Sequence, residues 1–322
     1  MGKASRTKQE TGRREKIAAQ RAAERRQERR NRLIIAGSAI AVVVIIAVVF
    51  TVVKLNSKTT GPATSGPAAP TGASLSSVVS TTTSVPTAAT DAVGTGGSAV
   101  NATPMMVTGN PPPLTSNGKP EMLYVGAEYC PYCAAERWSM IVALSRFGTF
   151  TGLKAIRSAA HNGGGTAEPY PNTATYSFYG SKYTSQYLTF TPVEVETNIP
   201  SSSNGGYTPL MTMTKDQNAT FTQYDAPPYV PAGNNGSFPF IDFGNKYIVA
   251  GASYSPQVLA NLTWSNIASA LTKVSSPVAM AVDGTANFLT AAICKLTNDQ
   301  PATACTSTIQ GLQSQLKPPS GG

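Results

Sequence analysis

Histidine is nearly missing from this chain: there is one, His161, in 322 residues, beside only four cysteines. A zinc site needs four ligands, commonly a second Cys-x-x-Cys or a pair of histidines. Cys130 and Cys133 are three apart, and Cys294 and Cys305 lie far downstream and eleven apart. That ligand set is short, and no metal is expected. A Cys–His protease is as poorly supplied, since His161 would have to be its base. In the loop H-N-G-G-G-T it reads as a surface residue instead. Charge is scarce too, at 13% of residues, with a net of +9 that resembles a nucleic-acid signal until it is located. Residues 1–32 hold 12 Lys/Arg against 4 Glu, and the remaining 290 hold 13 basic and 12 acidic residues. The basicity belongs to a tail rather than to a binding face, so no nucleic-acid partner is expected. The glycine run lacks the Lys-Ser/Thr of a phosphate loop, and no nucleotide or flavin motif appears.

What is there begins with a membrane signal. Leu33–Val53 is 21 residues without a charge, about 32 Å as a helix and enough for a bilayer core. It is longer than the apolar region of a cleaved signal peptide. The expectation is one retained transmembrane helix, touching the lipid bilayer through these residues. Lys54 and Lys58 are the only basic residues in the next sixty. By the positive-inside rule the tail stays in the cytoplasm and the rest lies outside, as a single-pass cell-membrane protein. The tail, with few apolar residues, reads as a solvated topology signal rather than a helix lying on anionic lipid.

The chain divides into a basic tail (1–32), the membrane helix (33–53), a flexible linker (54–73) and an extracytoplasmic domain (74–318). Low-charge, Ser/Thr-rich composition continues to about residue 120. Within it, Leu75–Val79 suggests a short helix and Met105–Thr108 an edge strand. From Met122 the composition becomes globular. Met122–Ala127 suits a buried strand, and Cys130-Pro131 starts a helix with proline at its first position. Trp138, Ile141, Val142 and Leu144 give that helix an apolar face, and Gly148 is its expected stop. Leu153–Arg157 is a second short strand, and Tyr176–Val195 suggests more. Phe240–Ala250 reads as two strands joined through Gly244-Asn245. Ser255-Pro256 predicts a helix carrying Leu259, Leu262, Ile267 and Leu271. Further helices are expected over about 283–296 and 308–316.

The stretch E-Y-C-P-Y-C-A-A-E-R-W carries the chemistry. A Cys-x-x-Cys that opens a helix after a buried strand sets its first sulfur over the unpaired N–H groups of the first turn. Those donors and the helix dipole favour thiolate, the nucleophilic form. Cys130 would then attack substrate, and Cys133, one turn on, would resolve the mixed disulfide. Glu128 would raise the thiol pKa, and Arg137 would lower it on folding back. Cys294 and Cys305 read as a structural disulfide worth about 3 kcal/mol in the chain-entropy view, with a second, electron-relaying redox pair as the alternative.

Ala127–Cys133 resembles the active-site segment of the thioredoxin superfamily, and Pro131-Tyr132 between the cysteines is the pair typical of glutaredoxins. Ser237–Lys246 resembles the family's strand and turn after a cis-proline. The resemblance implies that Pro239 is that proline, facing the cysteines, and that Phe238 contacts substrate. Pro131, Tyr132, Phe238 and Pro239 thus support the active site. More narrowly, the tail, the anchor, G-A-E-Y-C-P-Y-C-A-A-E-R-W and A-I-C…P-A-T-A-C resemble the domain-of-unknown-function family 929, over about residues 75–316. The fold implied is α/β, thioredoxin-like with insertions, after one transmembrane helix. Many thioredoxins carry a buried acid six residues before the first cysteine. Tyr124 stands there, leaving water or Glu128 as proton acceptor. The stretch between Leu153 and Pro239 is longer than a minimal thioredoxin needs, either surface decoration or a substrate-facing lid.

The expectation from these residues is a membrane-anchored thiol–disulfide oxidoreductase of interchange or isomerase type. It would act on exported cysteine-containing proteins, with a membrane redox partner to recycle it and no cofactor beyond its own redox-active disulfide. The alternative is a non-catalytic thioredoxin-fold scaffold whose Cys130–Cys133 disulfide is static.

Overall fold

The structure, a computed structural model, describes residues 67–203 and 205–319; the expected membrane helix at Leu33–Val53 and the basic tail lie outside them. Two helices come first, Gly72–Thr83 (α1) and Thr87–Val93 (α2), then short strands at Met105–Met106 (β1) and Thr115–Ser116 (β2). Strand Lys119–Gly126 (β3) leads into helix Pro131–Leu144 (α3). After it come Gly148–Thr151 (β4), Lys154–Arg157 (β5), Ala174–Ser177 (β6), Lys182–Ser185 (β7) and Thr189–Glu194 (β8). Glu196–Pro200 (β9), Tyr207–Pro209 (β10) and helix Lys215–Tyr224 (α4) precede the hairpin Phe240–Phe243 (β11) and Tyr247–Ala250 (β12). Helices Trp264–Ala270 (α5), Pro277–Leu296 (α6) and Ser307–Gln313 (α7) follow.

The main sheet is mixed. Its order runs β1, β12, β11, β3, β2, with β8 also paired to β3. Strands β3 and β8 are parallel, Glu121 opposite Thr189 through Gly126 opposite Glu194, while β11 and β12 are antiparallel neighbours. Successive side chains of a strand point to opposite faces, and β3 obeys: Met122 and Tyr124 enter one core, Leu123 and Val125 the other. The first core packs on α3 and α6 through Trp138, Ile141, Leu289 and Ile293. The second is closed by Phe221 and Tyr224 of α4. Both faces are thus covered, which is why β3 reads as a continuous apolar run.

Helix α3 exceeds the expected apolar face. Thirteen of its residues are buried, Glu136 and Arg137 among them. It ends at Leu144, and Gly148 opens β4 instead of stopping it. Arg146, just past the end, turns to Thr290 and Asn287 of α6, both at 3.0 Å. The helix expected from Ser255 is broken in two. Pro256–Leu259 forms a 3-10 turn, Asn261 adopts φ +60°, and Thr263 caps a new helix with Asn266. Conversely, the helix expected from about residue 283 starts at Pro277, where Ser276 accepts from the N–H of Ala279. Among the described residues, α6 is the one helix long and apolar enough to cross a membrane, yet 89% of that stretch is buried inside the fold. It is the core helix. Gly284 on it lets the turn at Gly96 approach, since an added Cβ would lie 2.6 Å from the Gly96 Cα.

The Ser/Thr-rich segment before β1 is folded on this core. Thr82 and Thr83 donate back to the carbonyls of Val78 and Val79, each at 2.9 Å, and the Thr82 hydroxyl meets that of Tyr176. Asn287 donates to the carbonyls of Thr90 and Gly94. The short helix expected at Leu75–Val79 lies within α1, and the expected edge strand is β1, paired to β12.

Candidate functional site

Strand β3 ends at Gly126, and the chain turns once before Pro131 opens α3. Cys130 caps the helix, its sulfur accepting the N–H of Cys133 at 3.2 Å. It retains 5% of its surface, whereas Cys133 has none. Both are free thiols. The peptide bond between Phe238 and Pro239 is cis, and the Phe238 carbonyl oxygen lies 3.8 Å from the Cys130 sulfur. The structure thus brings Cys130, Cys133, Pro131, Tyr132, Phe238 and Pro239, named from sequence, to one place. Cys294 and Cys305 are elsewhere, disulfide-bonded across 5.8 Å between Cα atoms.

The two sulfurs are electrostatically unequal. Burial pushes the Cys130 thiol up, but hydrogen bonds from the Cys133 side chain and N–H, the Arg137 charge and the Tyr132 N–H outweigh it. The net position is below an ordinary thiol. For Cys133, burial dominates, its bond to Cys130 adds to it, and the thiol is held well above its usual range against the pull of Arg137. Thiolate is thus favoured at Cys130 and the protonated thiol at Cys133, and thiolate is the more nucleophilic form.

Arg137 does fold back. Its Nε donates to Glu194 Oε1 at 2.9 Å, and its Nη2 donates to Glu194 Oε2 at 2.6 Å and to the Ala127 carbonyl at 2.7 Å. Both side chains of this pair are fully buried. Glu128, the other charge expected near the thiols, instead accepts a hydrogen bond from the Ser177 hydroxyl. Sequence reasoning missed Glu194, which lies 57 residues from Arg137. The parallel pairing of β8 with β3 delivers it.

The stretch between Leu153 and Pro239 reaches the site. Tyr170 meets Tyr132 edge-on at 5.7 Å, and Tyr129 stacks on Tyr207 at 4.0 Å. Beside them opens a cleft of about 700 Å³ whose lining includes Tyr132, Tyr170, Tyr229, Ser237, Phe238 and Tyr254, with no charged side chain. His161 is exposed.

Fold and site together define a mixed α/β protein that presents a Cys-x-x-Cys pair at a helix N-terminus beside an uncharged aromatic cleft. Residues 105–295 match the family model described as domain of unknown function DUF929, more than half of the 322 residues. The chain belongs to that family. No curated protein and no solved structure matches it.

Proposed function

We propose that this chain is a thiol–disulfide oxidoreductase on a thioredoxin-like fold, acting through Cys130 and Cys133. The observation that carries the reading is the inequality of the two sulfurs. Cys130, slightly exposed and 3.8 Å from the carbonyl of the cleft-lining Phe238, is shifted toward thiolate, whereas the fully buried Cys133 is shifted toward the protonated thiol. The fold reading is supported by the strand order β8, β3, β11, β12, with β3 and β8 parallel across a connection that begins with α3, and β11 and β12 antiparallel. The cis Phe238–Pro239 bond facing Cys130 supports it as well.

In the reducing direction, the Cys130 thiolate attacks a substrate disulfide, forming a Cys130–substrate bond and releasing one substrate thiolate. Cys133 then attacks the Cys130 sulfur. The Cys130–Cys133 bond forms, the second substrate sulfur leaves, and the proton of Cys133 passes to solvent or to the departing thiolate. The substrate gains two electrons and the pair loses them. The reverse sequence oxidises a substrate dithiol, and the direction follows the relative potentials.

The uncharged cleft lined by tyrosines suits an extended polypeptide better than an anionic metabolite. With the anchor expected at Leu33–Val53, the proposed setting is the extracytoplasmic face of the cell membrane. The proposed substrates are exported cysteine proteins, and a membrane redox partner would recycle the pair without a separate cofactor. Alkylation of intact cells with and without mild reductant tests the reading: Cys130 should cycle between blocked and reactive forms. A Cys130 that stays inert throughout would leave a static scaffold instead.

A further inference from the structure

A single glycine under the cysteine pair reveals a second feature. Tyr124 and Gly126 are two apart on β3 and share a face. A Cβ added to Gly126 would fall 2.1 Å from the Tyr124 hydroxyl oxygen and 3.1 Å from the Cys133 sulfur. The phenol therefore occupies the room that the missing side chain leaves, and its hydroxyl and the Cys133 sulfur border one small space. That hydroxyl is fully buried and makes no hydrogen bond. The Nη1 of Arg137 is also buried and unpaired, and the guanidinium lies 5.9 Å from the centre of the Tyr124 ring. Two unsatisfied donors in a core are costly. Both groups interact electrostatically with the buried Cys133 sulfur.

We propose that Tyr124 and Arg137 form a donor cradle that stabilises Cys133 as a thiolate whenever the Cys130–Cys133 disulfide opens. The proposal rests on the oxidoreductase reading and assigns the task of stabilising the buried sulfur. When a substrate thiolate attacks the Cys130 sulfur, a substrate–Cys130 bond forms and the Cys130–Cys133 bond breaks. Cys133 leaves with the electron pair, in a site where burial opposes the charge. The Tyr124 hydroxyl donates a hydrogen bond and keeps its proton; Arg137 supplies the opposite charge. The second substrate thiol then attacks its own sulfur in the mixed disulfide, its proton ends on Cys133, and Cys130 departs as thiolate.

The groups facing Cys133 agree with this task. Cys130 caps α3 and Arg137 lies on it, Tyr124 comes from β3 and Tyr129 from the turn between them. Glu194 of β8 acts on this group through Arg137. Burial holds the Tyr124 phenol well above its ordinary value, with Arg137 opposing and the charge on Cys133 adding to the rise. The phenol is thus a donor rather than a base.

The test is a titration of Cys133 by the carbon NMR shift of its Cβ in the Cys130→Ser protein, with and without Tyr124→Phe. Removing one unpartnered oxygen should not lower the melting temperature and should raise the Cys133 midpoint by about one pH unit, a tenfold loss of thiolate at a given pH. An unchanged midpoint overturns the cradle, as does a Cys133 that stays protonated in both proteins until the fold is lost. A second readout is reduction of the Cys130–Cys133 disulfide by mercaptoethanol, which Tyr124→Phe should slow; an equal rate overturns the cradle. Exchange with protein substrates does not enter the titration. If exchange fails while the midpoint shifts, the oxidoreductase reading falls and the cradle stands.

Discussion

Arg137 and Glu194 meet in a two-pronged ion pair, at 2.9 and 2.6 Å, with neither side chain exposed to solvent. The pair ties α3, the helix that Cys130 caps, to β8, the parallel neighbour of β3. It also holds in place the Arg137 charge, which acts on both sulfurs.

Breaking this pair from one side strands a buried charge. Arg137→Met or Glu194→Leu alone should cost about 3–5 kcal/mol, and the double variant much less than their sum. Urea denaturation of the three proteins checks it. Additive losses would mean that the two charges do not compensate each other.

Gly126 has an ordinary φ, so the cost of a side chain there is steric alone. Gly126→Ala should destabilise by about 1–3 kcal/mol, because its Cβ overlaps the Tyr124 hydroxyl. Measured by the same denaturation, a loss below a few tenths of a kcal/mol would show that the phenol is free to move aside.

How much of this was legible in the chain differs by element. The strand before Cys130, the cap-and-proline start of α3, and the hairpin around Gly244-Asn245 rest on local rules, and they stand in the fold. Ser276-Pro277 starts α6 with a cap and a proline, and the helix therefore begins several residues before the apolar pattern that predicts it from about residue 283. Helix α1 was half hidden by its composition. Serine and threonine look like linker, but in α1 their hydroxyls bond back to the preceding turn, so the helix can bury Val78. The Arg137–Glu194 pair and the Tyr124–Gly126–Cys133 packing had no sequence signal. They depend on a parallel strand pairing and on the absence of a side chain at Gly126.

Acid–base behaviour gives a further check at Asp283 on α6. Burial raises its pKa from 3.8 to about 8, opposed by Arg146, and neither carboxylate oxygen has a hydrogen bond. An acid raised on folding holds its proton more tightly when folded. It is neutral and harmless below its unfolded value, and it destabilises increasingly as pH climbs toward the folded one. Asp283→Asn should therefore leave the melting temperature unchanged near pH 3.8 and raise it relative to wild type by pH 8. A constant difference across that window would contradict the assignment.

The Cys294–Cys305 bridge closes an interval of 11 residues between α6 and α7, with both sulfurs buried. Replacing both by alanine should cost about 3 kcal/mol by the chain-entropy view. Exchange at Cys130 should persist in that variant. Loss of exchange in a folded double-alanine protein would recast the bridge as an electron relay.

The central claim is that Cys130 is the attacking sulfur and Cys133 the resolving one. The most direct measurement is mass spectrometry of the Cys133→Ser protein after incubation with a disulfide-bonded peptide, with Cys130→Ser alongside. A mixed disulfide should accumulate on Cys130 in the first protein and be nearly missing on Cys133 in the second. No adduct on Cys130, or equal adducts on the two sulfurs, would contradict the account.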